Sequence, residues 1–231
     1  LNYINSMPKK AQSLVIGISG GIDSSVASTL CAKTGIKTIV LTMPINQISS
    51  QHDLSIKHRD WLMHNFNNID SHTIELDEVF KSFKLKLSSF DNEHGMANSR
   101  ARIRMTTLYQ VAASNNGIVV GTGNKIEDFG VGFYTKYGDG GVDISPIADL
   151  NKTEVWELGK ELNILEEIIK AQPTDGLWED GRTDISQLGL SYEELEEAMN
   201  NPNSKNRLKY EKIRKLNLHK MQPIPVCKIP K

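Results

Sequence analysis

No other stretch narrows the choice of fold as far as Leu14-Val15-Ile16-Gly17-Ile18-Ser19-Gly20-Gly21-Ile22-Asp23-Ser24-Ser25-Val26. An apolar run enters a polar, glycine-bearing turn, and Val26-Ala27-Ser28-Thr29-Leu30 follows with helical character: strand, tight loop, helix. Gly20 and Gly21 can take positive φ and let the backbone approach a bulky anion. The loop amides and the helix N-terminus then offer donors and a positive dipole end. Ser19, Ser24 and Ser25 add hydroxyls. Asp23 does not suit a bare anion site, because a carboxylate repels phosphate. A divalent cation removes the conflict, and Asp with phosphate oxygens is an ordinary Mg²⁺ shell. The plainer alternative is a βα turn whose Gly and Ser serve only as caps. No Gly-Lys-Ser/Thr follows, so this is not a Walker loop, and the dinucleotide G-x-G-x-x-G spacing is absent.

The rest of the chain alternates strand and helix. Residues 1–12 suit a short lead-in helix or an arm. Strands are expected at about residues 13–18, 36–44, 71–76 and 117–121. Helices are expected at about 24–33, 53–66, 77–90 and 97–115, then 153–162, 192–199 and 205–216. Residues 46–50 read as loop and 91–95 as a break. This order implies an α/β fold, a doubly wound, mostly parallel sheet with helices on both faces. Ligands of such sheets bind at the carboxyl ends of strands, where Ser19-Gly20-Gly21 and Gly121-Thr122-Gly123 fall. Residues 172–190 form a long polar loop, the length of a functional lid or a disordered stretch.

With 231 residues, 39% of them hydrophobic, the chain can form one domain around a sizeable core. The formal net charge of −1 comes with no basic run, which argues against nucleic acid as a partner. Cys31 and Cys227 are the only cysteines, without metal-ligand spacing, and suit a reducing compartment. No apolar run is long enough to span a bilayer and no signal peptide is evident, so the expected location is the cytoplasm.

A second constellation lies in the middle of the chain. Glu127, after the fourth strand, is either a second carboxylate for the cation or a helix N-terminal Glu beside Asp128. Arg100 and Arg104 share a helical face that solvent would ordinarily claim, and Arg102 points elsewhere. Lys136 and Lys152 flank a Gly-Asp-Gly-Gly turn and are either phosphate counter-charges or surface lysines. Two strings mimic protein-kinase motifs, His58-Arg59-Asp60 through Asn65 and Asp128-Phe129-Gly130. Neither has the companion motifs, and His58 and His64 read as residues of solvated helix faces.

Ser19-Gly20-Gly21-Ile22-Asp23-Ser24 resembles the loop of the ATP pyrophosphatases, which cut ATP between the α and β phosphates. The later blocks narrow that resemblance. Arg102-Ile103-Arg104-Met105 with Tyr109, Val120-Gly121-Thr122-Gly123-Asn124 with Glu127, Gly132-Phe133-Tyr134-Thr135-Lys136-Tyr137-Gly138-Asp139-Gly140-Gly141-Val142-Asp143-Ile144, and Leu150-Asn151-Lys152-Thr153 all look like NAD synthetase. So do Pro173-Thr174, Leu188-Gly189 with Tyr192, and His219-Lys220.

The resemblance implies an adenine-nucleotide hydrolase-like fold and an ammonia-dependent ligase. Such an enzyme converts nicotinic acid adenine dinucleotide (deamido-NAD) to NAD through an acyl-adenylate, releasing AMP and pyrophosphate. It implies that Gly17, Ile18, Ser19, Gly20, Gly21, Ile22, Asp23 and Ser24 bind ATP together with Thr122, Lys152 and Thr174. Asp23 and Glu127 would hold Mg²⁺, with Asp23 and Lys152 acting on the reacting phosphates. Arg102, Lys136, Asp143, His219 and Lys220 would hold the dinucleotide, at the boundary of a homodimer. A helix apolar around much of its girth, at Ile103, Met105, Leu108, Tyr109, Val111 and Ala112, would give that dimer a contact. Glutamine use would need a thiol with a base, and Cys31 in a helix and Cys227 in a tail do not suit it.

The chain departs from the family pattern at Asp184-Ile185, where Asp-Glu is usual, and in one extra residue between Glu127 and Lys136. Rival readings are another ATP pyrophosphatase, such as a GMP synthetase core or a tRNA-modifying ligase, and a non-catalytic nucleotide sensor.

Overall fold

Among the described residues, four parallel strands build the sheet: β1 (Ser13–Gly17), β2 (Lys37–Thr42), β3 (Ile69–Thr73) and β4 (Gly117–Val119), in the order β3-β2-β1-β4. The structure is a computed structural model and describes residues 1–46, 49–174, 176–178 and 182–229. The helices are α1 (Asn2–Ser6), α2 (Ile22–Lys33), α3 (Ser49–Asn65), α4 (Asp77–Lys86), α5 (Glu93–Ser114), α6 (Lys152–Glu161), α7 (Glu166–Lys170), α8 (Asp184–Leu188), α9 (Tyr192–Asn200) and α10 (Arg207–Met221). A π-helical turn spans Ile126–Val131.

Side-chain alternation along each strand divides the core. Leu14, Ile16, Val40 and Ile118 face α2, α3, α6 and α7 through Val26, Cys31, Leu62, Val155 and Ile168. Val15, Ile39, Leu41 and Val119 face α4 and α5 through Phe80, Met105, Leu108 and Ala112. Both faces are covered, as the near-continuous apolar strands require. A third cluster joins Ile126 and Val131 of the π turn to Leu188, Tyr192, Leu195 and Tyr210 under α8, α9 and α10. β1 pairs with β2 on one side and β4 on the other. The chain therefore leaves β1 and β4 on opposite courses, and a crevice opens at their carboxyl ends.

Several element ends differ from the sequence reading, for local reasons. α2 begins at Ile22 because the Ser24 and Ser25 hydroxyls, which look like caps, both donate back to the Gly21 carbonyl, at 3.1 and 2.9 Å. α5 begins at Glu93, inside the expected break, because Asn92 Oδ1 accepts the Gly95 N–H at 2.8 Å. α3 begins at Ser49, so part of the expected 46–50 loop is helix, and residues 47 and 48 lie outside the described residues. The expected loop at 172–190 contains α8, capped by Thr183 and closed by Gly189 at φ +70°. Residues 175 and 179–181 of that loop lie outside the described residues. The stretch from Glu127 to Lys136, where the resemblance gave one extra residue, begins in the π-helical turn.

The girth argument for a dimer weakens here. Met105, Leu108 and Ala112 are buried against the sheet, and Ile103 and Val111 pack beside them. Of the six apolar positions, Tyr109 alone is exposed. His58 and Arg100 also depart from expectation. Neither lies on a solvated face: both are buried.

Candidate active site

The loop after β1 is closed by its own hydroxyls. Ser24 Oγ accepts the Ser19 N–H at 3.2 Å and lies 3.0 Å from Ser19 Oγ, which accepts the Gly21 N–H at 3.2 Å. Gly20 takes φ +89°, a conformation that any side chain would strain. Gly17 to Ser24 line a cleft of about 270 Å³, together with Thr122, Glu127, Lys152 and Thr174. Every residue assigned to ATP by resemblance therefore borders one cavity.

Three elements meet at its charged end. Asp23 comes from the first turn of α2, Glu127 from the π turn, and Lys152 from the first position of α6. Lys152 Nζ lies 2.5 Å from Asp23 Oδ2 and 3.0 Å from Glu127 Oε1, and its side chain is 3% exposed. It is a buried counter-ion, not a surface lysine. Asn124 Nδ2 donates to Asp23 Oδ1 at 2.9 Å, and Asn124 Oδ1 accepts the Glu127 N–H at 3.0 Å. The Tyr192 hydroxyl lies 2.6 Å from Glu127 Oε1 and 2.7 Å from Asp184 Oδ2, with its ring 4.7 Å from Lys152 Nζ.

The charges shift one another. Burial raises Asp23, with Glu127 adding to the rise and Lys152 opposing it. Burial also works on Glu127, but the Lys152 charge and the Tyr192 hydroxyl hold it below its ordinary value. Burial would strip the proton from Lys152, and the two carboxylates more than reverse that. Asp128 is pushed up to about 8, by burial first and then by Glu127, Asp139 and Asp23.

Two carboxylates converging beside a phosphate-type loop suit Mg²⁺, which takes one or two carboxylates, substrate phosphates and waters. Glu127 Oε2 makes no hydrogen bond among the described residues, and Glu127 lines the cleft.

The five residues assigned to the dinucleotide lie outside the cleft lining, though their neighbours Ala101, Phe133, Asp139 and Val142 belong to it. Arg102 Nε donates to the Lys136 carbonyl at 3.2 Å. Lys220 Nζ donates to the Gly132 and Tyr134 carbonyls, each at 2.8 Å. Asp143 accepts from the Tyr109 hydroxyl at 3.0 Å and the Val119 N–H at 2.7 Å, so it is tied into the end of β4. His219 is exposed in the last turn of α10.

Sequence reasoning missed Tyr192, Asp184 and the grip of Asn124. Tyr192 stood among the family-like blocks and at the start of an expected helix, which the Ser191 and Glu194 capping box confirms, but nothing in the sequence aimed its hydroxyl at Glu127. At Asp184-Ile185, Asp184 is buried in the site and Ile185 is 48% exposed, so the position expected to be acidic points away from this cluster. Arg100 Nη1 donates to the Leu177 carbonyl at 2.6 Å, and the Trp178 ring lies 6.3 Å from that of His94, which docks this part of the 172–190 segment on α5.

A family model described as NAD synthase matches residues 2–229. The chain is 39% identical over 230 residues to an NH(3)-dependent NAD(+) synthetase of Mesoplasma florum, covering 95% of this chain and 91% of that one. A Francisella tularensis structure described as NMN synthetase superposes with TM-score 0.90 at 33% identity, over 99% of this chain and 95% of that one. An NH3-dependent NAD synthetase from Campylobacter jejuni, in complex with nitrate ion, gives TM-score 0.76 at 28% identity, over 98% and 93%.

Proposed function

The chain belongs to the NAD synthase family, and on that premise we propose the reaction it carries out and the residues that serve it. It is an ammonia-dependent ligase that amidates nicotinic acid adenine dinucleotide to NAD at the expense of ATP. The observation that carries the reading is Lys152 Nζ set between Asp23 and Glu127 at the mouth of the hydroxyl-closed loop.

The nicotinate carboxylate attacks the α-phosphate of ATP and pyrophosphate leaves. Ammonia then attacks the acyl-adenylate carbonyl and AMP leaves. Residues 17–24 with Thr122 and Thr174 hold the triphosphate, and Lys152 carries positive charge to it. Asp23 and Glu127 hold Mg²⁺, which supplies charge neutralisation on the phosphates. Arg102, Lys136, Asp143, His219 and Lys220 orient the dinucleotide. Neither thiol suits glutamine hydrolysis: Cys31 is buried, and burial pushes it up to about 12, while Cys227 lies exposed in the tail beyond α10, so free ammonium is the nitrogen source. The working form is a homodimer in the cytoplasm. No helix among the described residues is long and apolar enough to cross a membrane.

One observation favours a second reading, amidation of the corresponding mononucleotide to NMN. The protein described as NMN synthetase superposes at TM-score 0.90, against 0.76 for the Campylobacter enzyme. Pyrophosphate release, measured with ammonium and either nicotinic acid adenine dinucleotide or its mononucleotide, decides between them. Faster release with the dinucleotide is expected. Release that ignores both acceptors would overturn the ligase assignment.

A further inference from the structure

Glu127 is held at two levels. Its backbone N–H is tied to Asn124 Oδ1, while among the described residues its carboxylate is hydrogen-bonded by Lys152 and Tyr192, and both act on the same oxygen, Oε1. The two grips differ in kind. Lys152 shares its ammonium with Asp23 and sits at the end of four methylenes, so a triphosphate can draw it away. Tyr192 cannot follow. It is 2% exposed, its ring meets the Trp156 ring edge-on at 5.9 Å, and its hydroxyl is also held by Asp184 on α8. One hydroxyl proton faces two carboxylate oxygens, so Glu127, Tyr192 and Asp184 form one hydrogen-bonded unit.

We propose that Tyr192 is a positioning residue that keeps Glu127 turned with Oε2 free for the divalent cation, and that Asp184 holds Tyr192 to that task. The inference rests on the cation reading above. It also gives α8 a chemical role: the segment at residues 172–190 is joined to the cation site through one phenol. Groups that orient a metal ligand without touching the metal commonly change affinity by 10–100-fold, which sets the scale expected here.

The test is Mn²⁺ binding to the full chain with a non-hydrolysable ATP analogue present, read by electron paramagnetic resonance without turnover. Tyr192→Phe should raise the Mn²⁺ dissociation constant about tenfold or more, while the KM for the dinucleotide stays at the wild-type value. A role in folding alone would not separate the two. Equal Mn²⁺ affinity in wild type and Tyr192→Phe overturns the proposal. If Tyr192→Phe does not fold, Asp184→Ala carries the test, since it releases the hydroxyl and leaves the ring in place. Weaker Mn²⁺ binding then supports the proposal and unchanged binding overturns it. A wild-type protein that binds no Mn²⁺ with the nucleotide would remove the cation reading itself, and this inference with it.

Discussion

Asp23 and Glu127 are the residues whose loss should be felt at once. Each presents a carboxylate that, among the described residues, pairs with Lys152, and each lines the cleft. Asp23→Asn and Glu127→Gln should each lower turnover on the order of 100-fold and leave the fold intact. Pyrophosphate release and circular dichroism on the same samples check both halves. The outward signal for Asp23 was strong, because Ser-Gly-Gly-x-Asp-Ser spells the loop, whereas Glu127 read equally as a helix N-terminal Glu and is tied to the site by its contact with Lys152. His58 carried no such signal. It sits on α3 among polar residues, and only the packing of α3 on α2 brings its Nε2 2.9 Å from Ser28 Oγ in a buried position. Burial lowers it from 6.5 to about 4. The native state therefore resists a proton that the unfolded chain accepts. This contribution is whole above pH 6.5 and is lost as the pH falls toward 4, at about 1.4 kcal/mol per pH unit. Urea unfolding across that range should show the slope in the wild type and a shallower one in His58→Gln.

Among elements, the π turn is the one on which the site depends most. It carries Glu127, and it leans on the loop after β4 at Gly123, where a Cβ would lie 2.0 Å from Asp128 Oδ2. Gly123→Ala should push the turn away. We expect a loss of about 1–3 kcal/mol in stability and a larger proportional loss in turnover, read by thermal unfolding and by assay. β1, β2 and β4 were legible because apolar, β-branched runs mark them, whereas β3, Ile69–Thr73, carries little of that signal and lies two residues before the expected 71–76 start. The short pieces were not legible either. α7 and α8 have five residues each, too few for a period. Gly95 read as a break because its role as partner of the Asn92 cap depends on α5 already existing.

At the scale of the whole molecule, the assembly is the open expectation. The groove formed by Met105, Thr106, Tyr109, Gln110, Tyr137 and Gly141 opens outward on α5, and Val79, Leu85 and Phe90 are exposed nearby in the chain on α4 and the turn after it. Sedimentation at micromolar concentration should give a dimer. A monomer that turns over the dinucleotide at full rate would show that the second copy adds nothing to the site. The docking of Leu177 and Trp178 on α5 has a further consequence. The chain has three tryptophans, and two of them, Trp61 and Trp156, pack against the first core. Trp178 instead belongs to the segment bordering the cleft. Intrinsic fluorescence is therefore a built-in gauge in which Trp178 reports the segment and Trp156, whose ring lies 5.9 Å from Lys152 Nζ, reports the charged end of the cleft, while Trp61 stays in the core. Adding ATP should shift the emission, and Trp178→Phe should remove the segment's share of the shift while the share from Trp156 remains.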